Sequence, residues 1–346
     1  MSFARRHRRK LLLVYVLAAS AGVMAAWYLT SPGRTLSHDG KTLNEWLDVL
    51  DDTRPINTVK ADGGKTFVES REAFLQIGEW AAPPLAWRLK AKPSFYETHL
   101  FHRLPAWMKA RLPAPRSMGT MNMIRNRSYS VLRTMGPAAR RAVPQLRKQL
   151  ARGDTTQRGN AAALLGSIGP DAVSAVPLLA GALEDPDRSI RLHACDSLGK
   201  IGCAPAIAVP ALQSALENGR VPFQDAVISL GQFGPAAAAA VPLIEKGLTN
   251  EVPQIRSYTA RTLGRIGPAS APTVDALTAA LRDRWWYVRE NAAIALGRIG
   301  AKAGPALPLL ETLSQADPNQ DVRAAAEEAI RRIEGPLQEG KREAGN

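Results

Sequence analysis

The sequence predicts an all-α fold: a solenoid of about eight helix pairs preceded by one N-terminal transmembrane helix. Three observations predict it. A phrase close to Leu-Gly-x-Ile-Gly recurs, ending at Gly136, Gly169, Gly202, Gly234, Gly267 and Gly300, at spacings of 33, 33, 32, 33 and 33. A fixed period of this size marks one supersecondary unit stacked on copies of itself. Hydrophobic residues make up 45% of the chain, Ala and Leu foremost, at helical spacing and without strand-like alternation. Finally, Arg5-Arg6-His7-Arg8-Arg9-Lys10 is followed by twenty uncharged residues, Leu11 to Thr30. A length of 346 residues alone suggests two or three globular domains. The repeat overrides this, because a solenoid grows by adding units to one continuous core.

Residues 1–10 are a basic leader and residues 11–30 a membrane span. Twenty residues at about 1.5 Å rise match a hydrocarbon core of about 30 Å. Trp27 and Tyr28 fall at the far end, where an aromatic belt belongs. The positive-inside rule keeps the arginines in the cytoplasm and sends the solenoid across, to a periplasmic address. A cleaved signal peptide is the competing reading, since Ala19-Ser20-Ala21 and Val23-Met24-Ala25 offer small-residue cleavage sites. In that case the body is secreted. The twin arginines lack the context of a twin-arginine signal.

Residues 31–41, polar and containing glycine, read as a linker. Residues 42–91 read as a degenerate capping repeat, which a solenoid needs at its end. Its first helix opens at Thr42, with Glu45 three residues on as in a capping box, and Leu43, Trp46, Leu47 and Leu50 share a face. A second helix runs from Phe67 to Ile77, and Pro83-Pro84-Leu85 starts a third. Residues 92–120 break the period as an insertion mixing Phe95, Tyr96, Phe101 and Trp107 with His99, His102, Lys109, Arg111 and Arg116. Insertions in solenoids map to loops on one face. This one reads either as a solvated loop whose aromatics cover the first groove or as a surface for anions. The net charge of +14 is uneven: residues 105–158 carry +11, whereas 159–346 carry −2. Lys109, Arg111, Arg116, Arg125 and Arg127 are therefore the candidates for binding an anionic polymer or membrane surface.

Residues 121–335 are the regular repeats, read column by column against the phrase-ending glycine. Four residues before it stands Leu132, Leu165, Leu198, Leu230, Leu263 or Leu296, and ten after it Leu146, Leu179, Leu212, Ile244, Leu277 or Leu310, the core of a helix pair. Gly166, Gly199, Gly231, Gly264 and Gly297 recur three before. Glycine inside a helix costs about 1 kcal/mol against alanine, so its recurrence predicts helices too close for a side chain. Proline eight after, as at Pro144, Pro177, Pro210, Pro242 and Pro308, falls in the first turns of the next helix. Arg125, Arg158, Arg191, Arg256 and Arg289 stand eleven before, with Phe223 the exception. Asp185 and Asp283, six before their arginines, predict an Arg–Asp ladder tying successive turns together. The pairs are expected at 42–77, 83–135, 138–168, 171–201, 205–233, 238–266, 271–299 and 304–334, with 336–346 a disordered tail.

The phrase Leu-Gly-x-Ile-Gly-Pro, then Ala-Val-Pro-x-Leu, then Asp-x-x-x-x-x-Arg resembles HEAT repeats, in the bilin-lyase-like subtype. The resemblance is strong over residues 120–335 and weak over 42–91, and it implies a right-handed superhelix. Gly40-Lys41-Thr42-Leu43-x-Glu45-Trp46-Leu47 also resembles the opening of bacterial membrane-anchored HEAT proteins of unassigned role. HEAT motifs specify fold far better than function.

Enzymes with such repeats can be weighed residue by residue. A di-iron hydroxylase needs His-Glu pairs at repeat spacing, and none of His7, His38, His99, His102 and His193 precedes a Glu. A bilin-lyase-like enzyme or chaperone fits an extracytoplasmic address poorly. Nucleic acid is disfavoured by repeats of net charge −2. No phosphate loop or Ser/His/Asp motif is evident, and no cofactor or metal is expected. Cys195 and Cys203, eight apart, read as structural rather than as a disulfide or metal pair. One turn stands out: Arg284-Trp285-Trp286-Tyr287, whose tryptophans take the places of Asp187 and Arg188. It reads as an interaction hot spot or as a hydrophobic staple onto the neighbouring repeat. The resulting expectation is a membrane-tethered, non-catalytic scaffold binding a protein partner in the cell envelope.

Overall fold

The computed structural model describes residues 37–38, 41–43, 45–47, 67–90 and 118–335. The expected leader and transmembrane segment, most of the expected linker, residues 92–117 of the insertion and the expected tail lie outside the described residues. The described chain is helical apart from one small hairpin, in which β1 (Ser37–His38) pairs antiparallel with β2 (Lys41–Thr42). Part of the expected linker is therefore ordered, and Thr42 ends the second strand directly before the helical Leu43. The fully buried Trp46 explains it: its indole Nε1 donates to the His38 carbonyl at 3.0 Å and fastens the hairpin to the core.

The chain forms two compact units, the first ending at Ala142 and the second beginning at Val143. This boundary lies further along the chain than the repeat boundary read at 121. The first unit contains α1 (Phe67–Ile77), a 3-10 turn (Gly78–Ala81), α2 (Ala82–Arg88), α3 (Met118–Met135) and a second 3-10 run (Gly136–Ala142). Helix α2, opened by Pro83 and Pro84, packs on both α3 and the Gly136–Ala142 run. Phe74, Leu85, Leu89, Ile124 and Leu132 are buried in this unit. Two 3-10 segments are joined through Glu79, whose carboxylate takes Arg140 Nε at 2.6 Å and Arg141 Nε at 3.0 Å. Hydrogen bonds from these two arginines hold the Glu79 carboxyl below its usual range. The Arg141 guanidinium also lies 3.6 Å over the Trp80 ring.

The second unit is a solenoid. Its pairs are α4 (Val143–Arg152) with α5 (Thr155–Ile168), α6 (Val176–Ala182) with α7 (Arg188–Ile201) and α8 (Pro205–Glu217) with α9 (Phe223–Gly231). They continue as α10 (Val241–Glu245) with α11 (Pro253–Ile266), α12 (Val274–Ala280) with α13 (Trp286–Ile299) and α14 (Leu307–Ala316) with α15 (Gln320–Glu334). The second helices stack on one another in sequence, α5 on α7, α7 on α9, through to α13 on α15. The continuous helical run Thr155–Ala182 is long and apolar enough to cross a membrane, but half of its most apolar window is buried within the solenoid.

Most first helices start later than the sequence predicts, the exception being α8, which opens at Pro205 as expected. After the other repeat glycines of this unit a 3-10 run intervenes, at Gly169–Ala175, Gly234–Ala240, Gly267–Thr273 and Gly300–Ala306. The α-helix then begins one residue before the proline, placing Pro177, Pro242 and Pro308 in its first turn. The reason lies in small residues three apart. Ala172 and Ala175, Ala237 and Ala240, Ser270 and Thr273, and Ala303 and Ala306 are all buried. A 3-10 helix eclipses positions i and i+3, so both members of each pair face the core. At Gly169 the chain turns into this run at φ 76°, ψ −142°, a conformation open to glycine alone.

The second helices touch backbone to backbone at the internal glycines. A methyl group on Gly264 would lie 2.9 Å from Ala295 Cα, and one on Gly297 2.8 Å from Ala329 Cα. Opposite each glycine the following helix supplies a small residue: Ser197, Ser229, Thr262, Ala295 or Ala329. The buried hydroxyls among them bond back across the contact, Ser197 Oγ to the Ala162 carbonyl at 2.8 Å and Thr262 Oγ1 to the Val227 carbonyl at 3.2 Å. The Phe223 exception is also structural. Its ring lies beside Gly247, where an added Cβ would be 2.5 Å from Phe223 Cε1.

Two glycine substitutions separate close approach from helix propensity. Gly264→Ala adds a methyl against backbone and is expected to lower stability by about 1–3 kcal/mol despite its better propensity. Gly181→Ala, which meets open space, is expected to raise it by up to about 1 kcal/mol. Urea denaturation of the two variants beside the parent checks both signs.

Candidate functional site: the turns and exposed face of the second helices

Four of the second helices, α5, α7, α11 and α13, are introduced by an arginine that holds two turns at once. Arg256 donates from Nε and Nη2 to the Asp283 carboxylate of the next repeat at 2.6 and 2.9 Å, while Nη1 reaches the Asn250 carbonyl of its own turn at 2.8 Å. Arg158 does the same to Asp185 at 2.9 and 3.2 Å, with Nη1 on the Gly153 carbonyl. Arg289 binds Asp317 twice at 2.7 Å and the Asp283 carbonyl at 2.9 Å. Such bidentate pairs fix orientation as well as distance. Among the described residues Arg191 forms no ion pair with the next repeat, whose acid column holds an exposed Glu217, and its Nε takes the Arg220 carbonyl at 2.8 Å. Asp317 and Arg323, which extend the ladder, escape a fixed-period reading: they stand 34 residues after Asp283 and Arg289. The Arg323 Nη1 donates to the Asp317 carbonyl at 2.6 Å.

The acids also bind the turns they belong to. Asp283 accepts the Trp285 amide at 2.9 Å and Asp317 the Asn319 amide at 2.9 Å. Burial pushes the Asp283 carboxyl up, but the Arg256 hydrogen bond, the Trp285 amide and the charges of Arg256 and Arg289 together hold it below its ordinary range. For Asp317 the Arg289 hydrogen bond is the largest influence and outweighs burial, so its carboxyl is also held low.

On this frame the Arg284-Trp285-Trp286-Tyr287 turn projects outward. Trp285 and Trp286 remain 38% and 42% exposed. Their rings gather on Tyr287, each with its centroid 5.8 Å away, tilted by 32° for Trp285 and edge-on at 85° for Trp286. The Arg284 guanidinium lies 4.9 Å over Trp285. Half-buried Tyr287 is fixed through its carbonyl, which accepts Asn291 Nδ2 at 2.8 Å and Ser257 Oγ at 3.4 Å. The turn thus presents aromatic area on a backbone tied to both neighbouring repeats.

The basic candidates are not brought together as a surface. Lys109, Arg111 and Arg116 lie outside the described residues. Arg125 is half-buried and bonded to Asn122 on its own helix. Arg127 is 5% exposed, which corrects its reading as a surface cation: its position on α3 turns it into the first unit rather than toward solvent. Cys195 and Cys203 are free; Cys195 is buried against Ser229, and burial pushes its thiol up to about 12. Among the described residues no group of His, Cys, Asp or Glu gathers as a metal site.

Breaking the last rung has a signed pH dependence. The Asp317 carboxyl is held low in the folded state, so its contribution is complete above an unfolded pKa of about 3.9 and is lost as pH falls through the folded value. Asp317→Asn strands a mostly buried Arg289 and is expected to cost about 3 kcal/mol at pH 7. The gap to the parent should narrow steadily below pH of about 4. Denaturation midpoints at pH 7, 5 and 3 measure it.

A protein-family model described as HEAT repeats matches residues 143–231 and 241–331, just over half the chain. Comparison with curated proteins found no match. Among solved structures, an engineered protein from the Northeast Structural Genomics Consortium is 18% identical at TM-score 0.51, covering 88% of this chain and 92% of its own. The karyopherin Kap121p bound to the SUMO protease Ulp1p is 15% identical at TM-score 0.51, over 77% of this chain and 34% of its own. The HEAT-like repeats protein of the archaeon Thermococcus onnurineus NA1 is 13% identical at TM-score 0.44, over 60% and 92%. The matched repeats coincide with the stacked pairs, glycine contacts and arginine ladder of the second unit: the chain belongs to the HEAT-repeat family.

Proposed function

We propose that the chain is a membrane-tethered, non-catalytic scaffold that binds a protein partner in the cell envelope. The observation that carries the binding reading is the Trp285–Trp286 turn. Large exposed aromatics on a pre-fixed backbone have the composition and low ordering cost of interface anchors. The Arg256–Asp283 and Arg289–Asp317 bonds on either side of the turn provide that fixing. A solenoid of this fold in Kap121p is bound to the SUMO protease Ulp1p, so the fold is compatible with holding a protein. The tether and the address rest on Arg5 to Lys10 and the uncharged run Leu11 to Thr30.

In cells carrying the full chain, cross-linking followed by mass spectrometry is expected to give a discrete adduct mapping near Trp285. Trp285→Ala with Trp286→Ala should reduce its yield at least about tenfold, the effect of losing an interface hot spot. An undiminished adduct would remove the anchor role. For the address, alkaline phosphatase fused at the C-terminus should be active, and activity of a cytoplasmic reporter there would contradict the export reading.

A further inference from the structure

Four of the six second helices place a base on their exposed face, two residues before the repeat glycine or at the equivalent place in α15: Lys200, Arg265, Arg298 and Arg332, whereas α5 and α9 carry Ser167 and Gln232 there. One turn earlier, at i−4, an acid neutralises the outer two. Asp196 binds Lys200 at 2.6 Å, and Glu328 binds Arg332 at 2.6 Å. For the inner two that acid is missing. Arg261 stands where Asp196 and Glu328 stand, and Ile294 fills the place below Arg298.

Three guanidinium groups therefore share one stretch of surface. Arg261 and Arg265, at i and i+4, are neighbours on α11. Arg298 belongs to the adjoining α13, which touches α11 backbone to backbone: a methyl on Gly264 would lie 2.9 Å from Ala295 Cα, and one on Gly267 3.7 Å from the Arg298 carbonyl. Arg265 and Arg298 are exposed. Burial, and then the charges of Arg261 and Arg298, make the Arg265 cation harder to hold. Among the described residues none of the three forms a salt bridge, and Arg261 instead lies 4.9 Å over the Tyr258 ring. A base in the last turn of a helix complements the helix dipole, which accounts for Arg265 and Arg298 but not for Arg261 a turn earlier.

We propose that Arg261, Arg265 and Arg298 form an anion site on the exposed face of α11 and α13 that receives a short acidic segment of a protein partner. The proposal rests on the protein-binding reading and adds the chemistry of the partner. Charge complementarity selects the acid, and the half-buried Ile228 and Ile294 alongside supply apolar contact that suits a peptide. Length is limited because the same stripe on α7 and α15 holds Asp196 and Glu328, each paired with a base, and so offers no further free cations to a continuous polyanion such as nucleic acid.

The test uses full-length protein in detergent and a fluorescein-labelled peptide, Glu-Leu-Glu-Glu-Leu-Glu, read by anisotropy at low salt. The triple variant Arg261→Gln, Arg265→Gln, Arg298→Gln is compared with Lys148→Gln, Arg152→Gln, which removes exposed cations elsewhere. The parent is expected to bind, the triple variant to bind at least about tenfold more weakly, and the control to stay within about twofold, since a built site outweighs general attraction. Equal weakening in both variants, no binding by the parent, or tighter binding of a twelve-nucleotide single-stranded DNA would overturn the proposal. If the tryptophan-dependent adduct survives such a result, only the arginine site is lost. If that adduct's dependence on tryptophan fails as well, the protein-binding reading falls with it.

Discussion

Everything in the second unit depends on how closely consecutive second helices approach. The glycine three residues before each repeat glycine from Gly169 to Gly300 meets a serine, threonine or alanine of the next second helix, backbone against backbone at Gly166, Gly199, Gly264 and Gly297. An added methyl there forces something to shift. That contact fixes the separation near one end of these helices, and at Arg158, Arg256 and Arg289 a bidentate arginine fixes it at the other. Between these two constraints the leucines and isoleucines fill a core whose thickness is already set. Each repeat touches only its neighbours, so these constraints act step by step along the stack.

This arrangement has a functional consequence. A residue that packs, caps or bridges is occupied, and most repeat columns are occupied in this way. What remains is the outward stripe of the second helices and the turns that introduce them. The Trp285–Trp286 turn and the three-arginine patch both lie there, on α11, α13 and the turn between α12 and α13. Aromatic anchors at the start of α13 and unpaired cations toward its far end, about 18 Å on, stand on a frame that does not have to be ordered on binding, and are suited to an extended partner segment combining apolar and acidic residues.

Much of this was legible in the sequence because repetition turns packing into columns. The glycine column announced close approach, the prolines announced new helices, and the arginines announced bonds between turns. The failures have physical reasons. The 3-10 runs were missed because Ala172 and Ala175, or Ser270 and Thr273, are unremarkable small residues until their spacing of three is read as an eclipsed face. Asp317 and Arg323 were missed because α15 starts 34 residues after α13, whereas α13 starts 33 after α11, and the extra residue shifts the column. Arg127 was read as a surface cation because net charge says nothing about which way one side chain points. Phe223, the exception in the arginine column, is a ring packed beside Gly247. The unneutralised arginines emerge only when bases are compared with the acid four residues earlier, a comparison across two columns at once.

The central claim is that partners meet the second-helix stripe and its turns. It is tested most directly by placing a photo-crosslinking amino acid, one position at a time, in the full chain in cells. Tyr258, Ile294 and Trp286 sample the stripe and the turn; Lys148, Lys246 and Glu311 sample the first helices and the 3-10 turn that follows α10. The account predicts adducts of the same mass from the first three positions and none from the others. Adducts arising from the first-helix side, with the stripe silent, would contradict it.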